Sequence, residues 1–319
     1  MTRRELSGAQ YVLRSGDYEA TVASVGASLR TLTFAGRNLV VPFSADEVRP
    51  FYRGTTLAPW PNRVVDGRYE FAGQSHELPL TEPSRGHALH GLASWQEFAA
   101  IDTGSAHVTL DAVIEPQAGY PWRIRVITTY RLADDGLTQT VKAVNESGEP
   151  APWGTGPHPY LVGGEGTVND WTLTLPAAEV LTVTDDRLNP IELRGVDGHE
   201  PERFDFREPR TIATAEIDHA YTALQRSEDG SFAVELRGRH GNGVRMTWDE
   251  SCPWVQIHTA DQASTDNPNH RIGLAVEPMT CAPDAFNAAR YSYDSGLITL
   301  AAGASSYASW RIADIRSRA

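Results

Sequence analysis

Residues 124–144, IRVITTYRLADDGLTQTVKAV, give the strongest indication of the fold class. Apolar and polar residues alternate on both sides of Asp134-Asp135-Gly136, and β-branched residues are frequent in both runs. Alternation with a period of two is typical of a half-buried strand, and a Gly-containing turn between two such runs favours an antiparallel hairpin. We therefore predict two antiparallel strands, Ile124–Leu132 and Leu137–Val144.

The same pattern recurs along the chain. Residues 238–243 separate Phe232–Arg237 from Val244–Trp248 as a second predicted hairpin, and further alternating runs are Tyr18–Val25, Ala106–Leu110, Trp171–Leu175 and Trp254–His258. Short helical turns are expected near Asp46–Arg53 and in Pro283–Ala289. Many short strands with turns every ~8–12 residues indicate an all-β protein, either a large antiparallel β-sandwich or a barrel.

No linker of low complexity, sustained run of charge or clean repeat divides the 319 residues. We predict one domain over residues 1–319, and a break near residues 145–150 is the best alternative boundary.

The net charge of −13 argues against nucleic acid or an anionic membrane as partner, because both favour a basic surface. The stretch Met1–Gly8 is not followed by the apolar segment of a signal peptide, and no run of about 18 apolar residues occurs. These features predict a cytoplasmic protein, either a monomer or a homodimer.

Metal and cofactor signatures are weak. His87 and His90 are three residues apart, but no cluster of Cys or carboxylate ligands accompanies them, so no metal is expected. The Gly-rich stretches lack the Lys-Ser/Thr of a phosphate loop and the dinucleotide fingerprint, so no cofactor is expected either.

Glu277 and His158 are the first candidates for chemistry. Glu277 closes the apolar, strand-like run Ile272–Val276, and a carboxylate there is costly unless it is partnered or used. Pro278 biases it toward extended backbone, and His158 lies between Pro157 and Pro159. Two titratable groups on stiff backbone suggest an acid/base pair.

Arg63, His90, Asp218 and His87 are the other candidates, and each by itself could be structural. Their order and local contexts resemble the aldose 1-epimerase (galactose mutarotase) family over most of the chain. Four segments carry the resemblance: Pro61-Asn62-Arg63-Val64, His87-Ala88-Leu89-His90-Gly91, Gly156-Pro157-His158-Pro159-Tyr160-Leu161, and Val276-Glu277-Pro278 with Pro283-Asp284-Ala285-Phe286-Asn287.

The resemblance implies a galactose mutarotase-like β-sandwich with a sugar cleft on a concave face. It also implies interconversion of the α and β anomers of a hexose. Glu277 matches the general base and His158 the general acid, while Arg63, His90 and Asp218 match residues that hold sugar hydroxyls.

The sugar itself is left open by two departures from the family pattern. His87 stands where the family commonly has Asn, and the stretch 278–281 differs from the galactose enzymes. The chain looks more like a bacterial branch that includes sulfoquinovose mutarotase-like proteins. An anionic sugar is one possibility, with Arg53 or Arg85 as its contact.

The reaction needs a base for the C1 hydroxyl and an acid for the ring oxygen, each reversing its role on closure. We expect the two groups on opposite sides of the C1–O5 region, facing one another across a hexose-sized gap. A glycoside hydrolase is the rival enzyme, with Glu277 and Asp218 as its two carboxylates. A non-catalytic carbohydrate-binding protein is the other alternative, in which Trp60, Trp95 or Trp248 would stack on the sugar.

Overall fold

A computed structural model describes residues 4–316, so residues 1–3 of the N-terminal stretch lie outside the described part. Antiparallel strands dominate it, and the helical segments are four short ones. The strands of the first half are β1 (Gln10–Ser15), β2 (Tyr18–Ala23), β3 (Ser28–Phe34), β4 (Arg37–Asn38), β5 (Thr56–Leu57), β6 (Arg63–Val65), β7 (Arg68–Phe71), β8 (Gln74–Glu77), β9 (His87–Leu89), β10 (Ala99–Thr103), β11 (His107–Ile114), β12 (Ile124–Ala133), β13 (Gly136–Asn145) and β14 (Ala151–Trp153).

The second half completes the set. Its strands are β15 (Gly156–Pro157), β16 (Tyr160–Leu161), β17 (Thr172–Thr174), β18 (Ala177–Val183), β19 (Pro190–Gly195), β20 (Arg210–Thr211), β21 (Asp218–Leu224), β22 (Phe232–Arg237), β23 (Gly243–Trp248), β24 (Trp254–His258), β25 (Leu274–Met279), β26 (Ile298–Leu300) and β27 (Ser305–Ile315). The helical segments are the α-helix α1 (Pro201–Phe204) and the 3₁₀ turns Pro50–Tyr52, Val168–Asp170 and Ala285–Arg290.

Both predicted hairpins are confirmed. Strands β12 and β13 pair antiparallel from Ile124 opposite Asn145 to Ala133 opposite Gly136. Strands β22 and β23 pair in the same sense. The turn Pro50–Tyr52 falls within the first segment where a helical turn was expected, and the turn Ala285–Arg290 overlaps the second. The turn Val168–Asp170 and the helix α1 were not expected.

Two large sheets organise the chain. One has nine strands in the order β10-β11-β12-β13-β27-β23-β22-β17-β20, and the other has six in the order β16-β25-β24-β21-β18-β19. A four-stranded sheet, β1-β2-β3-β4, and several two-stranded pairs complete the architecture. The all-β antiparallel fold class is therefore confirmed.

One continuous cluster of buried hydrophobic side chains extends from Leu13 to Ile312. This continuity supports the prediction of a single domain, which remains a prediction. Within residues 4–316, no helix is long and apolar enough to cross a membrane.

The register of the six-stranded sheet places a row of polar side chains on one face. Glu277 lies opposite Gln256, and His258 lies opposite Asp218 on the next strand. Directly opposed residues, and residues two apart on one strand, share a face. The residues between them on β24 and β25, such as Ile257 and Val276, are fully buried in the hydrophobic core. One face of the sheet therefore builds the core, and the other carries polar groups.

One sequence expectation about this sheet was wrong. Glu277 lies inside β25, not at its end, because the strand continues to Met279 with Pro278 opposite Val255. Proline removes one N–H donor but keeps an extended backbone, so pairing continues past it.

Candidate active site

Arg63 and His90 are brought to the polar face by the pair of strands β6 and β9. Arg63 begins β6, lies opposite Leu89, and accepts a 2.7 Å backbone hydrogen bond from the N–H of Asp284. The Oδ1 atom of Asp284, which is fully buried, accepts a second bond of 2.8 Å from the N–H of Val65. The segment Pro283–Asn287 therefore clamps β6 in position.

His90 follows β9 with a left-handed backbone, φ 60°. Its N–H donates to the carbonyl of Asn62 at 2.8 Å. At Gly91 a Cβ atom would lie 2.1 Å from the carbonyl oxygen of Ala58, closer than any side chain tolerates. The Leu-His-Gly sequence is thus required for the turn that aims the His90 ring at His158, with 4.8 Å between ring centroids.

His158 and Glu277 are neighbours. The Nε2 atom of His158 is 3.4 Å from Oε1 of Glu277, and the two residues are only 4% and 2% exposed. The expectation that they face each other across a hexose-sized gap was wrong. The C1 hydroxyl and the ring oxygen are bonded to the same carbon, so an acid and a base that lie side by side can serve both.

Buried polar atoms without a partner converge on this pair. Among residues 4–316, they include Nδ1 of His90, His158 and His258, Oε1 of Gln256 and Oε2 of Glu277. Buried polar groups in proteins are nearly always hydrogen-bonded, so such a concentration requires an explanation. A polar ligand that bonds to several of them would provide one.

Burial governs the protonation of the pair. Burial, followed by the nearby His258, lowers the pKa of His158 to about 3. Burial and then Asp218 raise the pKa of Glu277 well above its usual value, while Arg63 opposes the rise. Both shifts favour the form in which His158 is neutral and Glu277 carries the proton.

Arg63 is held by carboxylates on two sides. Its Nε and Nη2 atoms bond to Glu82 at 2.8 and 3.0 Å, and Nη2 lies 3.6 Å from Oδ2 of Asp218. Burial alone would raise the pKa of Asp218, but His258 and Arg63 outweigh it and lower the pKa to about 2. Asp218 is therefore ionised at neutral pH.

Gln256, His258 and Glu82 were not identified from the sequence. Gln256 donates to Asp218 at 2.6 Å, and His258 approaches the same carboxylate at 3.9 Å. The alternation in the run Trp254–His258 did indicate that Gln256 and His258 lie on the same face of a strand. Nothing in the local sequence indicates that Glu82 pairs with Arg63.

His87 is the predicted site residue that the structure does not bring to the cluster. Its ring is fully buried, with Nε2 2.9 Å from the carbonyl oxygen of Arg187 and Nδ1 accepting from the N–H of Asp66 at 3.3 Å. Both ring nitrogens of His87 therefore bond to loop backbone, at Asp66 and at Arg187. The expectation that His87 binds substrate receives no support.

A metal ion has one geometrically possible position within residues 4–316. Ligand atoms of His90, His158 and Glu277 all lie within 4.8 Å of one another. Proton transfer needs no metal, and the expectation of none stays a prediction.

A separate cavity of about 640 Å³ lies away from this cluster, lined by residues that include Arg37 and Arg239. These two arginines are already paired with Asp314 and Asp170, and the lining residues include no buried carboxylate. The buried cluster around His158 and Glu277 is therefore the better candidate site.

Comparison with known proteins identifies the family of this chain. The family model described as aldose 1-epimerase matches residues 9–312. The chain is 35% identical over 288 residues to the uncharacterized protein YihR of Escherichia coli strain K12, covering 90% of this chain and 89% of that one. It is 29% identical over 232 residues to the uncharacterized protein YphB of the same strain, covering 72% and 73%.

Solved structures show the same fold. The GalM/aldose epimerase homologue from C. elegans superimposes with a TM-score of 0.82 at 18% identity, covering 97% of this chain and 99% of that one. Galactose 1-epimerase from Lactobacillus acidophilus NCFM gives 0.76 at 18% identity, covering 95% and 93%. On the family match and the fold together, the chain belongs to the aldose 1-epimerase family, which consists of isomerases of the mutarotase type.

Proposed function

We propose that the protein is a mutarotase that interconverts the α and β anomers of a free hexose, with Glu277 and His158 as the acid/base pair. The observation that carries the proposal is the 3.4 Å approach of these two buried groups, ringed by polar atoms that have no partner. Family membership supports the reaction type, and the geometry supports the assignment of residues.

One proton shared by the pair is sufficient for the reaction. In the reactive form Glu277 is a carboxylate and His158 is an imidazolium. Arg63 favours the negative charge on Glu277, and Asp218 favours the positive charge on His158. Glu277 then takes the proton of the C1 hydroxyl while His158 protonates the ring oxygen, and the ring opens. Rotation about C1–C2 and the reverse transfers close it as the other anomer.

Sugar hydroxyls need both donors and acceptors. The ionised Asp218 accepts hydrogen bonds, and Arg63 donates them. Further polar atoms are offered by Gln256 and by the imidazoles of His90 and His258. Asp218 and His258 each have side chains that are 26% exposed, whereas the acid/base pair is almost fully covered. We therefore propose that the hexose enters past Asp218 and His258.

An aldose with an anionic substituent is a second candidate within the same class. Arg85 is unsuited to hold it, because Glu82 already pairs with Arg85 at 2.8 Å. Arg53 is 6% exposed, and its guanidinium carbon lies 5.7 Å from the centre of the Tyr160 ring. Among residues 4–316, its hydrogen-bond acceptors are the neutral oxygens of Asn269 and Pro42. A buried arginine without a carboxylate is suited to an anion from outside the chain.

The test is anomer exchange measured by NMR or polarimetry with galactose, glucose, a hexose 6-phosphate and sulfoquinovose. We expect the protein to equilibrate the anomers of at least one sugar faster than buffer alone does. The same enzyme carrying Glu277→Gln is the matched control. If no sugar equilibrates faster than in buffer, the proposal is contradicted. Release of reducing sugar from glycosides would instead favour a glycoside hydrolase, and sugar binding without exchange a non-catalytic binding protein.

We further propose that the protein acts in the cytoplasm on this small-molecule sugar, as a monomer or homodimer, without nucleic acid or membrane as partner. The net charge of −13 supports the last point.

A further inference from the structure

Two imidazoles and one carboxylate converge at the centre of the candidate site. They belong to His90, His158 and Glu277, which are 6%, 4% and 2% exposed. One nitrogen of each ring and one oxygen of the carboxylate all lie within 4.8 Å of one another. Two histidines with one carboxylate are a ligand set that binds zinc in proteins and leaves a fourth position open.

The separations between these atoms suit a small ion. Zinc bonds to imidazole nitrogen and to carboxylate oxygen at about 2.0–2.2 Å, and tetrahedral geometry then sets the ligand atoms roughly 3.3–3.6 Å apart. Nε2 of His158 and Oε1 of Glu277 are already 3.4 Å apart. The His90 nitrogen, within 4.8 Å of both, has to approach by at most about 1.5 Å, the difference between 4.8 and 3.3 Å. A small rotation of its side chain is sufficient for that movement.

The three side chains also have unused ligand atoms. Over the described residues 4–316, Nδ1 of His90, Nδ1 of His158 and Oε2 of Glu277 are buried without a hydrogen-bond partner. The equally buried His87 differs, because both of its ring nitrogens bond to loop backbone. Buried polar atoms are nearly always satisfied, so three orphaned atoms on three converging ligands point to a group from outside the chain.

The types of donor and the neighbouring charges define the ion. Imidazole nitrogen suits Zn²⁺, Co²⁺, Ni²⁺ and Cu²⁺, whereas Mg²⁺ and Ca²⁺ prefer sites made of oxygen. The cation of Arg63 opposes a metal ion here, but two carboxylates offset it. Glu82 bonds to it at 2.8 Å, and Asp218 lies at 3.6 Å.

We propose that His90, His158 and Glu277 bind a transition-metal dication such as Zn²⁺, and that the bound ion blocks the candidate site. The ion is an inhibitor and not a cofactor, because it engages the two groups that must exchange protons with the sugar. Sugar and ion then compete for the same atoms. Metal binding is independent of the proposed function, and only the competition with sugar rests on it.

Binding is tested with the metal alone. The purified chain is stripped with a chelator, the chelator is removed, and Co²⁺ is added while its visible absorption is recorded, followed by displacement with Zn²⁺. We expect one equivalent to bind, and Glu277→Gln and His158→Asn each to weaken binding by about 10–100-fold or more, the loss typical even of an outer-shell partner. His107→Ala is the matched control, since His107 lies 3.1 Å from Asp102 near the surface, and it should bind like the wild type. Circular dichroism checks the fold of each variant.

Inhibition is tested by anomer exchange at increasing Zn²⁺. We expect KM for the sugar to rise at least tenfold with kcat unchanged, a chelator to reverse the effect, and Mg²⁺ at the same concentration to have none. Binding of Co²⁺ that persists in both Glu277→Gln and His158→Asn, or that is lost in His107→Ala, would overturn the metal site. Zn²⁺ that binds at one equivalent and leaves KM unchanged would overturn the block. If the wild type turns over no sugar, the proposed function fails, whereas the Co²⁺ titration still decides whether the metal site exists.

Discussion

Nε2 of His158 approaches Oε1 of Glu277 to 3.4 Å inside a protein interior that leaves both residues almost without solvent contact. Burial disfavours charge on both of them, which favours the form in which His158 and Glu277 are both neutral. Arg63 and Asp218 lie close enough to stabilise the charged alternative. The balance between these two forms underlies the predictions for Glu277.

Glu277→Gln should lose about 10²–10⁴-fold in kcat while the fold is retained, because an amide cannot exchange the proton. His158→Asn should behave similarly. Anomer-exchange NMR gives the rate and circular dichroism checks the fold. Glu192→Gln is the matched control, since Glu192 is exposed on β19 and pairs only with Arg194. Wild-type turnover in Glu277→Gln would remove Glu277 from the reaction.

Glu277 should also make the stability of the protein depend on pH. Its pKa in the folded protein is raised above the unfolded value, so its contribution is fully present below the unfolded pKa of about 4.3 and is lost as pH rises through the folded pKa. Urea unfolding from pH 5 to 9 should show wild-type stability falling relative to Glu277→Gln. A difference that is constant with pH would mean that Glu277 is not protonated in the fold.

Asp218 should act in the opposite direction. Its folded pKa of about 2 lies below the unfolded value, so its contribution is present above about pH 3.9 and disappears as pH falls toward 2. Asp218→Asn should therefore unfold less steeply with acid than the wild type between pH 4 and 2. Identical acid dependence of the two proteins would contradict an ionised, paired Asp218.

Arg63→Ala should weaken sugar binding and destabilise the fold by about 1–3 kcal/mol, because Glu82, whose side chain is 10% exposed, keeps only its bond to Arg85. The double variant Arg63→Met with Glu82→Gln should recover much of the stability but not the affinity. Urea denaturation and KM separate the two effects. If the double variant recovers both the stability and the sugar affinity, Arg63 has only a structural role.

His87 and His90 should separate structure from binding. His87→Ala should cost about 1–3 kcal/mol of stability, since it leaves the N–H of Asp66 and the carbonyl of Arg187 without a partner, and should leave KM unchanged. His90→Ala should raise KM. A raised KM in His87→Ala with normal stability would return His87 to the list of substrate contacts.

The local sequence was sufficient for the two hairpins and for several further strands. Alternation gave the hairpin of β12 and β13, and the contexts of His158 and Glu277 singled out two residues that the fold brings into contact. Sheet order was not predictable, because β13 pairs with β27, about 170 residues later, and no local pattern encodes that choice. The pairing of Arg63 with Glu82 escaped prediction for the same reason, as it depends on the path of a loop.

The clamp between Asp284 and the first strand of the site has a consequence for biosynthesis. The N–H of Val65 donates to the carboxylate of Asp284, which lies 219 positions further along the chain. The N–H of Asp284 in turn donates to the carbonyl of Arg63. Contacts so distant in sequence form late, because a long loop must close first. A nascent chain that has not yet emerged beyond residue 284 therefore cannot align Arg63, and the proposed sugar site can form only after that segment has been synthesised.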